Sequence, residues 1–172
     1  MNSARQLVAI CSLALISWSS LAADEKPLSG TVIAGWLERV TFPGHDFQIR
    51  AKLDTGAKTS SIHAIDITEF TRDGERWVSY TLPLEDIRHR LHKLIMENPI
   101  KRNVLIKNHD GNHDNRPIVT LEFCFNGQLH QADFSLTDRS QFHYPMLLGR
   151  RFLGGTAVVD ASRTFTTQGK CP

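Results

Sequence analysis

The residues best suited to chemistry in this 172-residue chain are Asp54-Thr55-Gly56-Ala57. They follow the strand-like run Phe47-Gln48-Ile49-Arg50-Ala51-Lys52-Leu53, so the strand delivers a single carboxylate onto a tight turn. The glycine lets a second backbone or a substrate come close. Such a carboxylate can act as a general acid or base in hydrolysis. One carboxylate cannot activate water and protonate a carbonyl at the same time, and the chain carries only one Asp-Thr-Gly.

Other chemistries find weaker support. His89 with His92, and His109 with His113 beside Asp110 and Asp114, are the best metal-ligand pairs. Histidines at i and i+3 share a face only if the segment is helical, and each pair reads more simply as solvated surface histidine. There is no His-Glu-x-x-His helix and no Gly-x-x-x-x-Gly-Lys-Ser/Thr phosphate loop. No Gly-x-Ser-x-Gly elbow is present. Cys124 lies in the apolar run Leu121–Phe125, a poor setting for a thiolate nucleophile. No metal and no cofactor is expected.

The elements that must position Asp54 read as many short strands. Val32–Val40 predicts a strand bent at Gly35, followed by a turn at Pro43–Asp46. Ser61–Ile67 alternates apolar and polar residues, as one half-buried strand would. Asp73-Gly74 marks a hairpin whose return arm is Trp77–Leu82. Leu84–Asn98 stays open between a helical face (Leu84, Ile87, Leu91, Leu94, Ile95) and a short strand stopped by Pro99. Asn103–Lys107 is a strand and Asn108–Asn115 a polar loop. Ile118–Phe125 and Leu129–Leu136 flank Asn126-Gly127, a strong type I′ hairpin signal. Met146–Leu148 is a strand, Arg150–Leu153 a helical turn, and Ala157–Asp160 a last strand. The pattern predicts an all-β barrel with at most one or two short helices.

Composition bounds the address. Arg5 is the only charge before Asp24, Leu7–Ile16 is an apolar run, and Ser19–Ala23 are small residues around a cleavage site. This is a secretory signal peptide over 1–23, the alternative being an uncleaved anchor. The remaining domain, 24–172, is expected to be periplasmic or secreted and free of the membrane. Loss of Arg5 brings the formal charge of +2 closer to neutral, which argues against a nucleic-acid partner. Cys124 and Cys171 remain; they either pair in an oxidising compartment or stand as a buried thiol and a terminal one.

Taken in order, several pieces resemble the retropepsin-like aspartic proteases. They are Gly35-Trp36, Lys52-Leu53-Asp54-Thr55-Gly56-Ala57, Ser61 and His63, Leu136-Thr137-Asp138-Arg139, and Tyr144-Pro145-Met146-Leu147-Leu148-Gly149-Arg150. The chain is most similar to a bacterial branch labelled an ATP-dependent zinc protease, a label with no ligand set among these residues. The resemblance implies a single-lobed barrel in which Leu147, Leu148, Gly149 and Arg150 pack beneath the turn. It implies a homodimer in which the two Asp54 carboxyls meet at a twofold axis and share one proton, Thr55 bonds across to the partner's turn, and Gly56 permits the approach. His63 would donate to a backbone carbonyl or line the cleft. Arg139 and Arg150 are expected to bridge Asp138 or Asp160, and Trp36 and Trp77 to serve the core or an interface. The flap is left between Asn108–Asn115 and the segment after Pro83. The implied substrate is a peptide or protein. A peptide-binding module on the same fold, or a zinc-dependent hydrolase, are the competing readings.

Overall fold

The computed structural model describes residues 30–107 and 113–171. The expected signal peptide over 1–23, the lead-in at 24–29, and His109 and Asp110 of the proposed loop pair lie outside the described residues. Eleven strands and one short helix follow in chain order: β1 (Val32–Val40), β2 (Ile49–Asp54), β3 (Ser60–His63), β4 (Ile65–Arg72), β5 (Glu75–Glu85), β6 (Leu91–Pro99), β7 (Arg102–Lys107), β8 (His113–Phe125), β9 (Gln128–Thr137), β10 (Met146–Gly149), α1 (Arg150–Leu153) and β11 (Ala157–Thr164). The fold is all-β and retropepsin-like, as expected.

Eight strands make one mixed sheet in the order β11-β1-β2-β10-β3-β9-β8-β7, and β4-β5-β6 make a second. The large sheet curls back on itself. Thr41, just past β1, exchanges backbone hydrogen bonds with Cys124 near the end of β8. A second bridge, Ile49 to Asp86, ties β2 to the turn that ends β5. The sheets enclose a core that includes Ile49, Leu53, Ile62, Tyr80, Leu82, Phe134 and Leu148. Phe152 of α1 packs tilted against Phe123 and edge-on against Phe125, with ring centroids 5.1 and 5.6 Å away. Burying that ring fixes where α1 starts, and hence where Arg150 stands.

Most strand expectations hold. β1 carries its irregularity between Gly35 and Leu37. Asn126 and Gly127 both have positive φ (50° and 72°), as a type I′ turn demands. The expected loop Asn108–Asn115 is cut short, because β8 already starts at His113 and pairs with β7 there. Two larger expectations are corrected. Ser61–Ile67 is not one strand: β3 pairs with β9 and β10 in the large sheet, β4 with β5 in the small one, and the chain changes sheet at Ala64. Each side of the break alternates by itself, but the phase slips by one residue where Ala64 and Ile65 follow each other, so a single continuous strand does not fit. The segment after Leu84 is not helical. β5 runs through Pro83 to Glu85 and β6 returns as Leu91–Pro99. The β4 pairing ends at Thr81, so Pro83 has a partner strand only on its β6 side and its missing N–H leaves no gap on the other. The turn between them is held by Asp86, 1% exposed, whose Oδ1 accepts from the N–H groups of Arg88 (2.8 Å) and Arg90 (2.9 Å).

Candidate active site

β2 and β10 run parallel side by side, with Leu53 opposite Leu148 and Asp54 opposite Gly149. Asp54 therefore leaves the sheet at its edge-on end, directly beside the start of α1. The turn closes with Ala57 N–H donating to the Asp54 carbonyl at 3.2 Å. The carboxylate faces back into the turn, where Oδ1 accepts from Gly56 N–H (2.9 Å) and Ala57 N–H (3.3 Å). Oδ2 lies 3.3 Å from Lys52 Nζ. Partial burial pushes the Asp54 carboxyl up, but the Gly56 N–H, the Lys52 ammonium and the Ala57 N–H outweigh it and hold it below the usual carboxylate range.

The expected support residues converge here, by contacts of a different kind. Leu147, Leu148 and Gly149 lie beside the turn in the same sheet rather than beneath it. The loop leaving the turn presses on β10 so closely that a Cβ at Gly149 would sit 2.7 Å from the Thr59 carbonyl carbon. Gly149 N–H donates to Ser60 Oγ at 3.1 Å, Arg150 N–H to the Ala57 carbonyl at 2.9 Å, and Arg151 N–H to the Lys58 carbonyl at 3.1 Å. Arg150 then wraps the turn from outside: one guanidinium nitrogen donates to the carbonyls of Thr55 (2.8 Å) and Gly56 (2.7 Å). Thr55 and Gly56 themselves are exposed.

Arg139 is the buried strut of the neighbouring wall. It donates to Ser61 Oγ at 2.9 Å and to the Tyr144 carbonyl at 3.3 Å, and its guanidinium lies 4.6 Å over the Phe142 ring. Its own N–H donates to His63 Nδ1 at 2.9 Å. That bond needs a lone pair on Nδ1 and so places the neutral ring's proton on Nε2. The expected bridges from Arg139 and Arg150 to Asp138 or Asp160 are absent. Both guanidinia go to backbone carbonyls or Ser61, Asp138 accepts from Ser140 N–H, and Asp160 faces Arg163 and Ser162.

A groove of about 460 Å³ opens beside the turn, lined by Lys58, Ser61, Arg102, Leu105, Arg116 and Arg151 among others. β7, the outer strand of the large sheet, forms its far wall. Of the two flap candidates, the arm leading to 108–112 thus borders the site. The segment after Pro83 instead joins the β5–β6 turn. His92 does not share a ligand face with His89. It stacks on Phe47 and bonds Asp86 at 2.9 Å, while His89 turns to Glu85. Among the described residues no group of three or more His, Cys, Asp or Glu is placed to hold a metal. Trp36 meets Tyr144 edge-on, and Trp77 lies beneath the Arg72 guanidinium. Cys124 and Cys171 are joined by a disulfide, which settles the open choice.

Sequence reasoning passed over Lys52 and Glu38. The first was legible: on a strand, residues two apart share a face. Glu38, fully buried on β1, accepts from the N–H and hydroxyl groups of both Thr166 and Thr167 and from Gly35 N–H. Its threonine partners lie 128 and 129 residues away, and no local pattern announces them.

With this geometry in view, three comparisons bear on the chain. A family profile described as "RimB-like: Retropepsin-like aspartic endopeptidase RimB" matches residues 33–170. Proteins named "Probable alpha-L-glutamate ligase" from Shewanella pealeana and Shewanella halifaxensis are each 36% identical over 118 residues, 68% of this chain. The chain spans only a quarter of their length. A crystal structure of a Legionella pneumophila protein described as of unknown function is 32% identical, with a TM-score of 0.66 over 80% of this chain and 98% of that one.

Proposed function

Because the chain belongs to the RimB-like family of retropepsin-like aspartic endopeptidases, we propose that it hydrolyses peptide bonds with a pair of Asp54 carboxyls brought together in a homodimer. The observation that carries this reading is the half-occupied carboxylate. Oδ1 is fixed by two backbone N–H groups, while Oδ2 keeps acceptor capacity on a turn whose Thr55 and Gly56 are uncovered. In the pair, one Asp54 is ionised and the other protonated, since two adjacent carboxylates do not both ionise cheaply. The ionised Oδ2 takes a proton from water as the water oxygen bonds the scissile carbonyl carbon. The protonated partner gives its proton to the carbonyl oxygen. The tetrahedral gem-diol then collapses: the C–N bond breaks, the proton held by the first Asp54 goes to the leaving nitrogen, and one gem-diol hydroxyl returns its proton to the second Asp54, which leaves a carboxylic acid, an amine and the singly protonated pair. Ser61, Arg139 and His63 brace the wall, and Arg150 fixes the carbonyls of the turn.

The groove supports an acidic peptide as substrate, because Lys58, Arg102, Arg116 and Arg151 all line it. The name of the curated relatives, glutamate ligases, is in keeping with a glutamate-containing chain. The Cys124–Cys171 disulfide supports an oxidising, exported setting. Asp54→Asn tests the activity: cleavage of glutamate-rich peptides should vanish while the fold persists, and wild-type turnover should be blocked by a statine-type mimic. Full activity in Asp54→Asn sinks the reading. One observation favours a second reading, a peptide-binding module: among the described residues β7 has a strand on one side only, and its other edge lies beside the groove with Leu105 exposed. Peptide binding without turnover by a stable monomer would select it.

A further inference from the structure

We infer that Lys52 is a positioning residue for the Asp54 pair, holding Oδ2 in place and limiting the pH range over which the pair keeps its shared proton. The inference rests on the paired-carboxyl reading above. Its ground is placement. β2 alternates, so Leu53 points into the core at 3% exposure while Lys52 and Asp54 emerge on the other face. Lys52 Nζ stands 3.3 Å from Oδ2, and among the described residues that oxygen has no other polar partner. The ammonium therefore sits at the oxygen that must face water and the second carboxyl.

The charged groups that act directly on Asp54 are Lys52 and Arg139, both cations. Lys52 approaches from β2 itself, and the buried Arg139 feels Asp54 from the connection between β9 and β10. Arg150 of α1 neutralises the turn carbonyls. Asp138, the nearby acid, is turned to Ser140 and to His63. A twofold pair thus contains two carboxyls and two ammonium groups. With one shared proton the four groups sum to a net positive charge; with none they balance. Each ammonium makes the doubly ionised pair less costly, so the shared proton leaves at lower pH than it would from two isolated carboxyls. Lys52 confines activity toward acid pH, and its removal extends the working range upward.

The test has two readouts, one independent of turnover. The Asp54 carboxyl is followed by carbon NMR titration in protein labelled at aspartate, with assignment by Asp54→Asn. Lys52→Met should raise its apparent pKa by roughly half a unit to one unit, the scale of a partly exposed ion pair. Lys52→Arg, which keeps the charge, should leave it in place. In peptide cleavage the basic limb of the kcat/KM profile should move up by the same amount in Lys52→Met and not in Lys52→Arg. Lys52→Gln serves as a second neutral variant should Lys52→Met fold poorly. An unmoved titration in the neutral variants, or an equal shift in Lys52→Arg, overturns the inference. Absence of cleavage in the wild type would instead strike the proposed activity, and the titration would still decide the role of Lys52.

Discussion

Asp54 and Asp86 are both carboxylates at the ends of strands, each folded back onto the N–H groups of its own turn, and each beside a cation. They differ in what remains free. Asp86 is 1% exposed, and both oxygens are taken: Oδ1 by Arg88 and Arg90 N–H, Oδ2 by the Arg90 guanidinium and His92. Asp54 is about a quarter exposed, with one oxygen occupied and the other touching only Lys52. Burial raises the Asp86 carboxyl, but its many donors outweigh that and hold it far below the usual range. A carboxylate whose acceptor sites are all spent can only hold structure. One with a free oxygen at an open turn can take a proton from something else.

The largest test of this contrast is a crossed pair of isosteric substitutions. Asp54→Asn should lower kcat/KM by at least about a thousandfold while leaving thermal unfolding nearly unchanged. Asp86→Asn should do the reverse: a clear fall in the unfolding midpoint, with activity per folded molecule preserved. Calorimetry and peptide cleavage on both proteins would break the contrast if the effects were exchanged.

The C-terminal segment extends the contrast to a third carboxylate, Glu38, whose two oxygens are both taken. Cys171→Ser should cost about 2–4 kcal/mol in denaturant unfolding, the range for a disulfide closing a long loop, without altering cleavage. Glu38→Gln should cost about 1–3 kcal/mol, since five donors lose a charged acceptor. The smallest effect is in pH. Burial pushes Glu38 up, but the Thr166, Thr167 and Gly35 donors hold it below its ordinary value. A lowered folded pKa means that the contribution of Glu38, like that of Asp86, is complete above the unfolded value of about 4 and drains away as pH falls through the folded one. Urea midpoints from pH 6 to pH 2 should decline in the wild type and less steeply in Glu38→Gln.

The Asp54 turn and the Asn126-Gly127 hairpin were legible because each rests on a local rule: a strand period, a glycine, a turn pair. The rest depended on contacts between distant parts of the chain. Ala64 is where the chain changes sheets, and the one local sign of it is that Ala64 and Ile65 are consecutive apolar residues, a one-residue slip in the alternation that is easily passed over. Arg150 was legible as part of the site but not as a clamp on the Thr55 and Gly56 carbonyls, because a guanidinium reaches as readily for a carbonyl as for an acid. The Glu38 anchor and the disulfide join residues that meet only after the barrel closes.

That closure has a bearing on the order in which the chain can assemble. β1 finds its parallel partner in β11, with Val32 opposite Ala157, and β2 finds β10, with Leu53 opposite Leu148. β1 and β2 can pair with each other early, yet each completes its other edge only with a strand from far along the chain. Asp54 therefore reaches its final setting only once β10 docks beside β2. Folding dominated by such non-local pairing is slow, so the Asp54 turn is among the last parts of the domain to be completed.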